Sequence, residues 1–365
     1  MTNSDPADEA ATRDWLVDDF DYHLPSALIA QEPLADRAAS RLLVVHPGAA
    51  DFPDASIHEI GCWLRPGDLL VANDSRVIPA RLHARKEETG GRAELLLLRR
   101  DADGAWAALA RPVRSLRPGT RLRVEPIAGS DAPAGMLEVV AKGEGGQVRV
   151  RFLEPVEPCL ADYGETPLPP YITTRLGDPE RYQTVYAARE GSAAAPTAGL
   201  HFTPELIDDL RARGIGWATV TLHVGLDTFR PVMVERVAEH QIHREWCEAP
   251  DATAAAIAAT KATGGRVIAI GTTAARTLET LGRAWDPERP RGLIAETDLF
   301  ITPGYRWSLV DGLLTNFHLP RSTLLMMVSA LAGADTIRRA YAVAIERGYR
   351  FFSFGDAMLI FPGRR

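Results

Sequence analysis

The sequence has little of what would mark a secreted or membrane-bound protein. Cysteine is scarce: Cys62, Cys159 and Cys247 are the three in 365 residues. They are odd in number, far apart and without C-x-x-C spacing. That excludes a disulfide framework and points to free thiols in a reducing compartment, so a cytoplasmic location is expected. No apolar run reaches the roughly 18 residues of a membrane span, so no membrane partner is expected. The opening MTNSDPADEAATRDW is acidic and lacks an apolar stretch, which excludes a signal peptide; residues 1–17 are expected to be a flexible tail. Overall basic charge is lacking too. A net charge of −7 argues against a general nucleic-acid coat.

What is present is an ordinary globular chain, 46% hydrophobic and 24% charged, long enough for more than one domain. Its texture changes twice. Residues 18–76 mix strand-like runs (RLLVVHP, DLLVAND) with a helical segment, SIHEIGCWL. Residues 77–154 are short apolar strands separated by Gly, Pro and charge, the pattern of a small β-barrel. Residues 155–365 alternate strands and helices, as in ATAAAIAATKATGG followed by RVIAI. The expected fold class is therefore α/β: a mostly parallel, covered sheet in a discontinuous main domain (18–76 and 155–365), with an inserted β-barrel at 77–154. Within that insertion, residues 99–123 carry seven arginines against two acids. Such a run is either a solvated face or a polyanion contact, with Arg99, Arg100, Arg111, Arg114 and Arg117 as candidates.

Several motifs combine small, hydroxyl and imidazole residues at element ends. In RVIAIGTTAART, a strand runs through Gly271 into Thr272 and Thr273 at a helix start, where backbone N–H groups and the helix dipole favour an anion; plain capping is the alternative. AAAPTAGLHFTPEL places Pro196, Thr197, Gly199 and His201 before a helix, without the lysine a P-loop needs. VTLHVGLDTF carries His223, Gly225, Thr228 and Phe229. EHQIHREW sets His240, His243 and Glu245 in H-x-x-H-x-E. Zinc wants three or four such ligands, but the spacing is weaker than H-E-x-x-H and no clear helix carries it. Acid–base or hydrogen-bonding work fits these histidines better. Further on, Asp298, Tyr305, Asp311, Asn316 and His318 crowd toward a helix starting at Ser322 or Thr323. So many polar groups in apolar surroundings need partners or a ligand. LLVANDSRVIPARL puts Asn73, Asp74 and Arg76 at the expected domain junction, where clefts form.

Taken in order, these segments resemble one family, the S-adenosylmethionine:tRNA ribosyltransferase-isomerases of queuosine biosynthesis. FDYHLPSALIAQEPLADRAASRLLVV, NDSRVIPARL, LPPYI, RYQTVYA, GSAAAPTAGLHFT, TLHVGLDTFRPV, EHQIHREW, IGTTAARTLE, TNFHLPRSTLLMMVSALAG and YRFFSFGDAMLI carry the resemblance, roughly from Phe20 to Phe361. It implies S-adenosylmethionine consumed as a ribosyl donor and, as acceptor, the 7-aminomethyl-7-deazaguanine wobble base of a tRNA with a GUN anticodon. The products are epoxyqueuosine tRNA, adenine and methionine. No metal is expected, and a monomer is. His201, His223, His240, His243, His318 and Asp298 are then the candidate acids and bases, with Asp356 a further candidate. Gly271, Thr272 and Thr273 would hold the donor's carboxylate, and Asn73, Asp74, Arg76 and Arg276 would bind donor or base. The chain departs from the family pattern at Leu226-Asp227, where Ala-Gly is expected, and lacks a proline before Gly191. The other readings are a relative acting on another acceptor, a metal-dependent hydrolase built on His240, His243 and Glu245, and a noncatalytic RNA binder.

Overall fold

A computed structural model describes residues 13–101, 103–143, 145–154, 156–225 and 232–362. The first part of the chain lays down β1 (Arg41–Val45), β2 (Asp54–Ser56), β3 (Leu69–Asn73) and β4 (Ser75–Val77). β3 reads LLVAN and is buried at every residue, as a strand covered on both faces must be. SIHEIGCWL forms a short 3-10 helix at Ile57–Cys62.

The insertion follows as β5 (Arg81–Lys86), β6 (Arg92–Arg100), β7 (Trp106–Arg111), β8 (Arg121–Val124), β9 (Gly135–Lys142) and β10 (Gln147–Phe152). The strands pair antiparallel in the order β5-β6-β7-β10-β9-β8, and β8 returns to β5, closing a barrel. Closure leaves no free sheet edge. Alternate residues point inward, as in β8, where Leu122 and Val124 are buried between exposed arginines. The barrel's packing runs past the expected boundary at 154. Val156 and Tyr163 belong to its core, Tyr163 on the single turn α1 (Leu160–Tyr163), and β11 (Gly164–Glu165) pairs with β5.

The rest of the main domain comprises β12 (Arg189–Ser192), α2 (Pro204–Ala212), β13 (Gly216–Leu222), β14 (Glu245–Ala249), α3 (Asp251–Ala262) and β15 (Val267–Ile270). Then come α4 (Thr272–Gly282), β16 (Leu293–Thr297), β17 (Gly312–Asn316), α5 (Thr323–Ala332), α6 (Ala334–Glu346) and β18 (Ala357–Ile360). Among the described residues nine strands form the main sheet, ordered β16-β14-β13-β3-β15-β17-β18-β1-β2. The expectation of a mostly parallel sheet is corrected here. β13-β3-β15-β17 run parallel, as do β18 and β1, but the other neighbours pair antiparallel. The chain explains this. β17 is followed by two helices broken at Gly333 (φ +87), so the next strand starts from the same end and runs back. Among the described residues, the connection from β13 to β14 holds one short 3-10 helix, Val237–Glu239, and no α-helix.

One apolar cluster covers one face of the sheet with residues such as Ile257, Leu278, Val328 and Tyr341, and another covers the opposite face with Ile60, Phe202 and Leu210. The tail expected over 1–17 is already packed by its end: Val17 is buried, and the Val237 N–H bonds to the Trp15 carbonyl at 2.9 Å. No described helix is long and apolar enough to cross a membrane.

Candidate active site

The four parallel strands β13, β3, β15 and β17 end on the same edge, where open α/β sheets hold ligands. A narrow pocket of about 70 Å³ opens there. It brings together Pro196, Thr197, Gly271, Thr272, Thr273, Asn316, His318 and Ser322 from the expected set, and adds Tyr171, Val224 and Phe352. Gly271 takes φ +87, a conformation L side chains avoid, and lets the chain turn straight from β15 into α4. It offers no side-chain cap, so the first N–H groups of α4 are free for an anion. Gly199 sits under the same loop because a Cβ there would meet the Tyr186 hydroxyl at 2.0 Å.

Asn316 is buried and donates through Nδ2 to the Phe352 carbonyl at 3.0 Å, with His201 Nε2 3.3 Å away; its Oδ1 has no hydrogen-bond partner. His318 Nε2 lies 3.0 Å from Thr315 Oγ1, its N–H donates to the Tyr341 hydroxyl at 2.8 Å, and its carbonyl accepts from Tyr22. Three partners thus fix both ring and main chain. Ser322 caps α5 by accepting from the Leu325 N–H at 3.2 Å, and Thr323 is the first residue of that helix.

A second, larger opening of about 910 Å³ separates the barrel from the main domain. Arg99, Arg100, Trp106 and Gln147 line its barrel side; Glu190, His223, His243 and Trp246 line the other. The His223 ring stacks on Trp246 at 5.0 Å and 18°, and a Cβ on Gly191 would come within 2.9 Å of His223 Nε2. Below the stack, His243 Nε2 lies 3.1 Å from Glu245 Oε1, and Arg276 pairs with Oε2. The pocket and the cleft meet at the end of β13, where Val224 lines one and Gly225 the other.

Other expected residues lie elsewhere or are committed to the protein. Asn73 donates to the Leu222 carbonyl (3.0 Å) and to Thr273 Oγ1 (3.1 Å), and accepts from the N–H groups of Leu222 and Ser75. It therefore buttresses α4 from below. Asp74 accepts from the Thr221 hydroxyl, and burial raises its carboxyl. Arg76 pairs with Glu180, and Asp356 accepts from the N–H groups of Arg41 and Arg350. Asp298 is half exposed, 3.8 Å from both Arg244 and Arg283. His201 stands behind Asn316, and the His240 ring meets Phe300 edge-on at 5.3 Å. Tyr305 donates to Glu279, and Asp311 pairs with Lys261. Arg111, Arg114 and Arg117 are exposed on the barrel. Leu226, Asp227, Thr228 and Phe229 fall outside the described residues. Among the described residues no group of three His, Cys, Asp or Glu could hold a metal ion. Sequence reasoning missed Trp106 and Trp246, whose only signal was an aromatic within a short strand.

Burial pushes the imidazoles of His201 and His318 down, to about 4 and about 3, with Arg350 and Arg37 adding to the effect on His201. Both rings stay neutral in the folded chain where the unfolded chain would take up protons. Stability is therefore full above about pH 6.5 and falls below it, by up to about 1.4 kcal/mol per pH unit for each ring, until the folded values are reached. Urea unfolding between about pH 7 and pH 5 checks this; replacing both histidines with glutamine should flatten the dependence.

The chain matches the family described as "Queuosine biosynthesis protein" over residues 17–360. A relative from Gloeobacter violaceus, named S-adenosylmethionine:tRNA ribosyltransferase-isomerase, is 50% identical over 362 residues, 98% of either chain. One of the same name from Symbiobacterium thermophilum is 51% identical over 345 residues, 94% of this chain and 99% of its own. A crystal structure of S-adenosylmethionine tRNA ribosyltransferase from Thermotoga maritima superposes with a TM-score of 0.54 at 40% identity, covering 94% of this chain and 100% of that one.

Proposed function

Since this chain belongs to the queuosine biosynthesis protein family, we propose that it moves the ribosyl part of S-adenosylmethionine onto the aminomethyl-deazaguanine wobble base of tRNA. It isomerises that sugar to the epoxide and releases adenine and methionine. The observation that carries this reading is the pairing of two sites at one strand end: a small pocket under a bare helix N-terminus, and a larger cleft beside it that separates the two domains.

The donor enters the pocket by its methionine end. Its methionine carboxylate lies at Gly271, Thr272 and Thr273, and Asn316 Oδ1 is left to accept from its ammonium. The sulfonium acidifies the neighbouring C5′ hydrogens, and the neutral ring of His318, on the pocket wall, is the group placed to accept one. Adenine leaves as it is protonated, the base's amine attacks the sugar fragment, and the epoxide closes as methionine departs. The protein contributes orientation and proton transfer, while the donor contributes the reactivity.

The acceptor comes from the cleft. A wobble base splayed from a single-stranded loop stacks on aromatic rings, and Trp246, half-buried on the cleft wall, supplies one. Arg111, Arg114 and Arg117 on the barrel take backbone phosphates, joined by Arg99 and Arg100 at the rim once these exchange their partners Glu296 and Glu157, and affinity falls steeply with salt. A tRNA with a GUN anticodon, a monomeric enzyme and a cytoplasmic setting complete the proposal.

Purified protein mixed with S-adenosylmethionine and tRNA bearing the aminomethyl-deazaguanine base should release adenine and give an epoxyqueuosine nucleoside mass. Donor binding without turnover on that tRNA would point instead to another acceptor, with Leu226-Asp227 as the first residues to exchange.

A further inference from the structure

One carboxylate ties together three motifs that are separate in the sequence. Glu245 Oε1 accepts from the Gly225 N–H at 2.9 Å and stands 3.1 Å from His243 Nε2, and Oε2 pairs with Arg276. Its side chain is 2% exposed. Gly225 closes the β13 motif, His243 forms part of the cleft wall, and Arg276 projects from α4, whose first turn lines the donor pocket. Arg276 has little left to offer a ligand: Nε donates to the Leu299 carbonyl at 3.2 Å and Nη2 to that of Thr297 at 3.4 Å. Its charge is spent on Glu245.

Burial alone would raise the Glu245 carboxyl. The His243 ring, the Arg276 charge and the Gly225 N–H outweigh burial and hold it below the usual carboxylate range, so Glu245 is a fixed anion. An anion only accepts. His243 Nε2 makes no aligned hydrogen bond, but with this anion 3.1 Å away the ring favours the tautomer that carries its proton on Nε2, which leaves the lone pair on Nδ1. Glu245 is too well occupied to serve as a base itself. His243 is not, and it faces the cleft.

We propose that Glu245 is a positioning residue, holding His243 so that Nδ1 takes a proton from the acceptor's aminomethyl group as that amine attacks. The proposal rests on the ribosyltransferase-isomerase reading above. An alkyl amine is mostly ammonium at neutral pH and has no lone pair to attack with. One N–H bond breaks and its proton passes to His243. The freed pair forms the new N–C bond to the sugar fragment, and the C–S bonding pair leaves with methionine when the epoxide closes. The H-x-x-H-x-E spacing thus serves an imidazole–carboxylate pair, with Arg276 balancing its charge.

The test is a double-substitution cycle in the full-length chain, with S-adenosylmethionine and tRNA carrying the aminomethyl base. H243A should lower kcat by about 10²–10⁴-fold, the range for a lost acid–base group, and added imidazole should restore part of it. Glu245→Gln should lower kcat by roughly 10- to 100-fold while the KM for tRNA stays within about twofold, since it disturbs a partner of the base and not the base itself. In the H243A background the same substitution should cost nothing further, because the group it positions is gone. Should Glu245→Gln not fold, the pair Glu245→Gln with Arg276→Met, which removes both charges, takes its place in the cycle. An equal penalty with and without His243 overturns the inference, and so does full turnover by H243A; either would leave the ribosyltransferase reading standing. Absence of adenine release from the unaltered chain overturns both.

Discussion

Exchanging Arg276 for methionine is expected to cost roughly 3–5 kcal/mol of folding stability, the usual result of removing one partner from a buried ion pair. The side chains of Arg276 and Glu245 are 5% and 2% exposed. With the guanidinium gone, the buried carboxylate loses the one opposite charge paired with its Oε2, while the Gly225 N–H and the His243 ring stay beside Oε1. Glu245→Gln in the same chain should recover most of the loss, because an uncharged pair no longer carries the desolvation penalty. Urea unfolding midpoints for the single and double variants decide the matter. A single variant within about 1 kcal/mol of the parent would mean that the pair is far wetter than its burial implies.

His318→Ala has the largest expected effect on activity, a fall in kcat of about 10²–10⁴-fold, as for a group that carries a proton in the rate-limiting step. The fold should tolerate it. The loop around His318 is held by main-chain bonds to Tyr22 and Tyr341, which survive loss of the ring. Thr315→Val is the companion variant: it keeps the imidazole but removes the hydroxyl 3.0 Å from Nε2, and should cost about tenfold through misorientation alone. Single-turnover adenine release reads both. If His318→Ala released adenine at the parental rate, His318 would be a packing residue and the base would have to be sought elsewhere around the pocket.

The barrel was legible because its strands alternate inward and outward residues over short, punctuated runs, a purely local signal. RVIAIGTT and its turn into α4 were legible for the same reason. The mixed sense of the main sheet was not. It depends on how many helices intervene between β17 and β18, and TLLMMVSALAGADTIRRAYAVAIE does not announce which edge its second helix returns to. Nor could the sequence say which polar residues are spent on the protein. Asn73 and Asp74 look like a ligand-binding pair, yet Asn73 bonds across to Leu222 and Thr273, and Asp74 to Thr221, partners about 150 to 200 residues away. Glu245 was visible only as a metal-like spacing, since its partner Arg276 lies 31 residues downstream. Pairing at such separations is set by the finished packing and leaves no local trace.

The barrel's place in the chain also sets an order in time. β3 sits between β13 and β15, so a strand buried at every residue waits for neighbours made about 140 to 200 residues later. At about 5–20 residues per second of synthesis, that wait is roughly 10 to 40 seconds. The barrel closes entirely within residues 78–165 and needs nothing that follows. A ribosome partway through this message therefore carries a finished barrel and an unfinished sheet. The yield of active enzyme then depends on what shields Leu69–Asn73 during that interval.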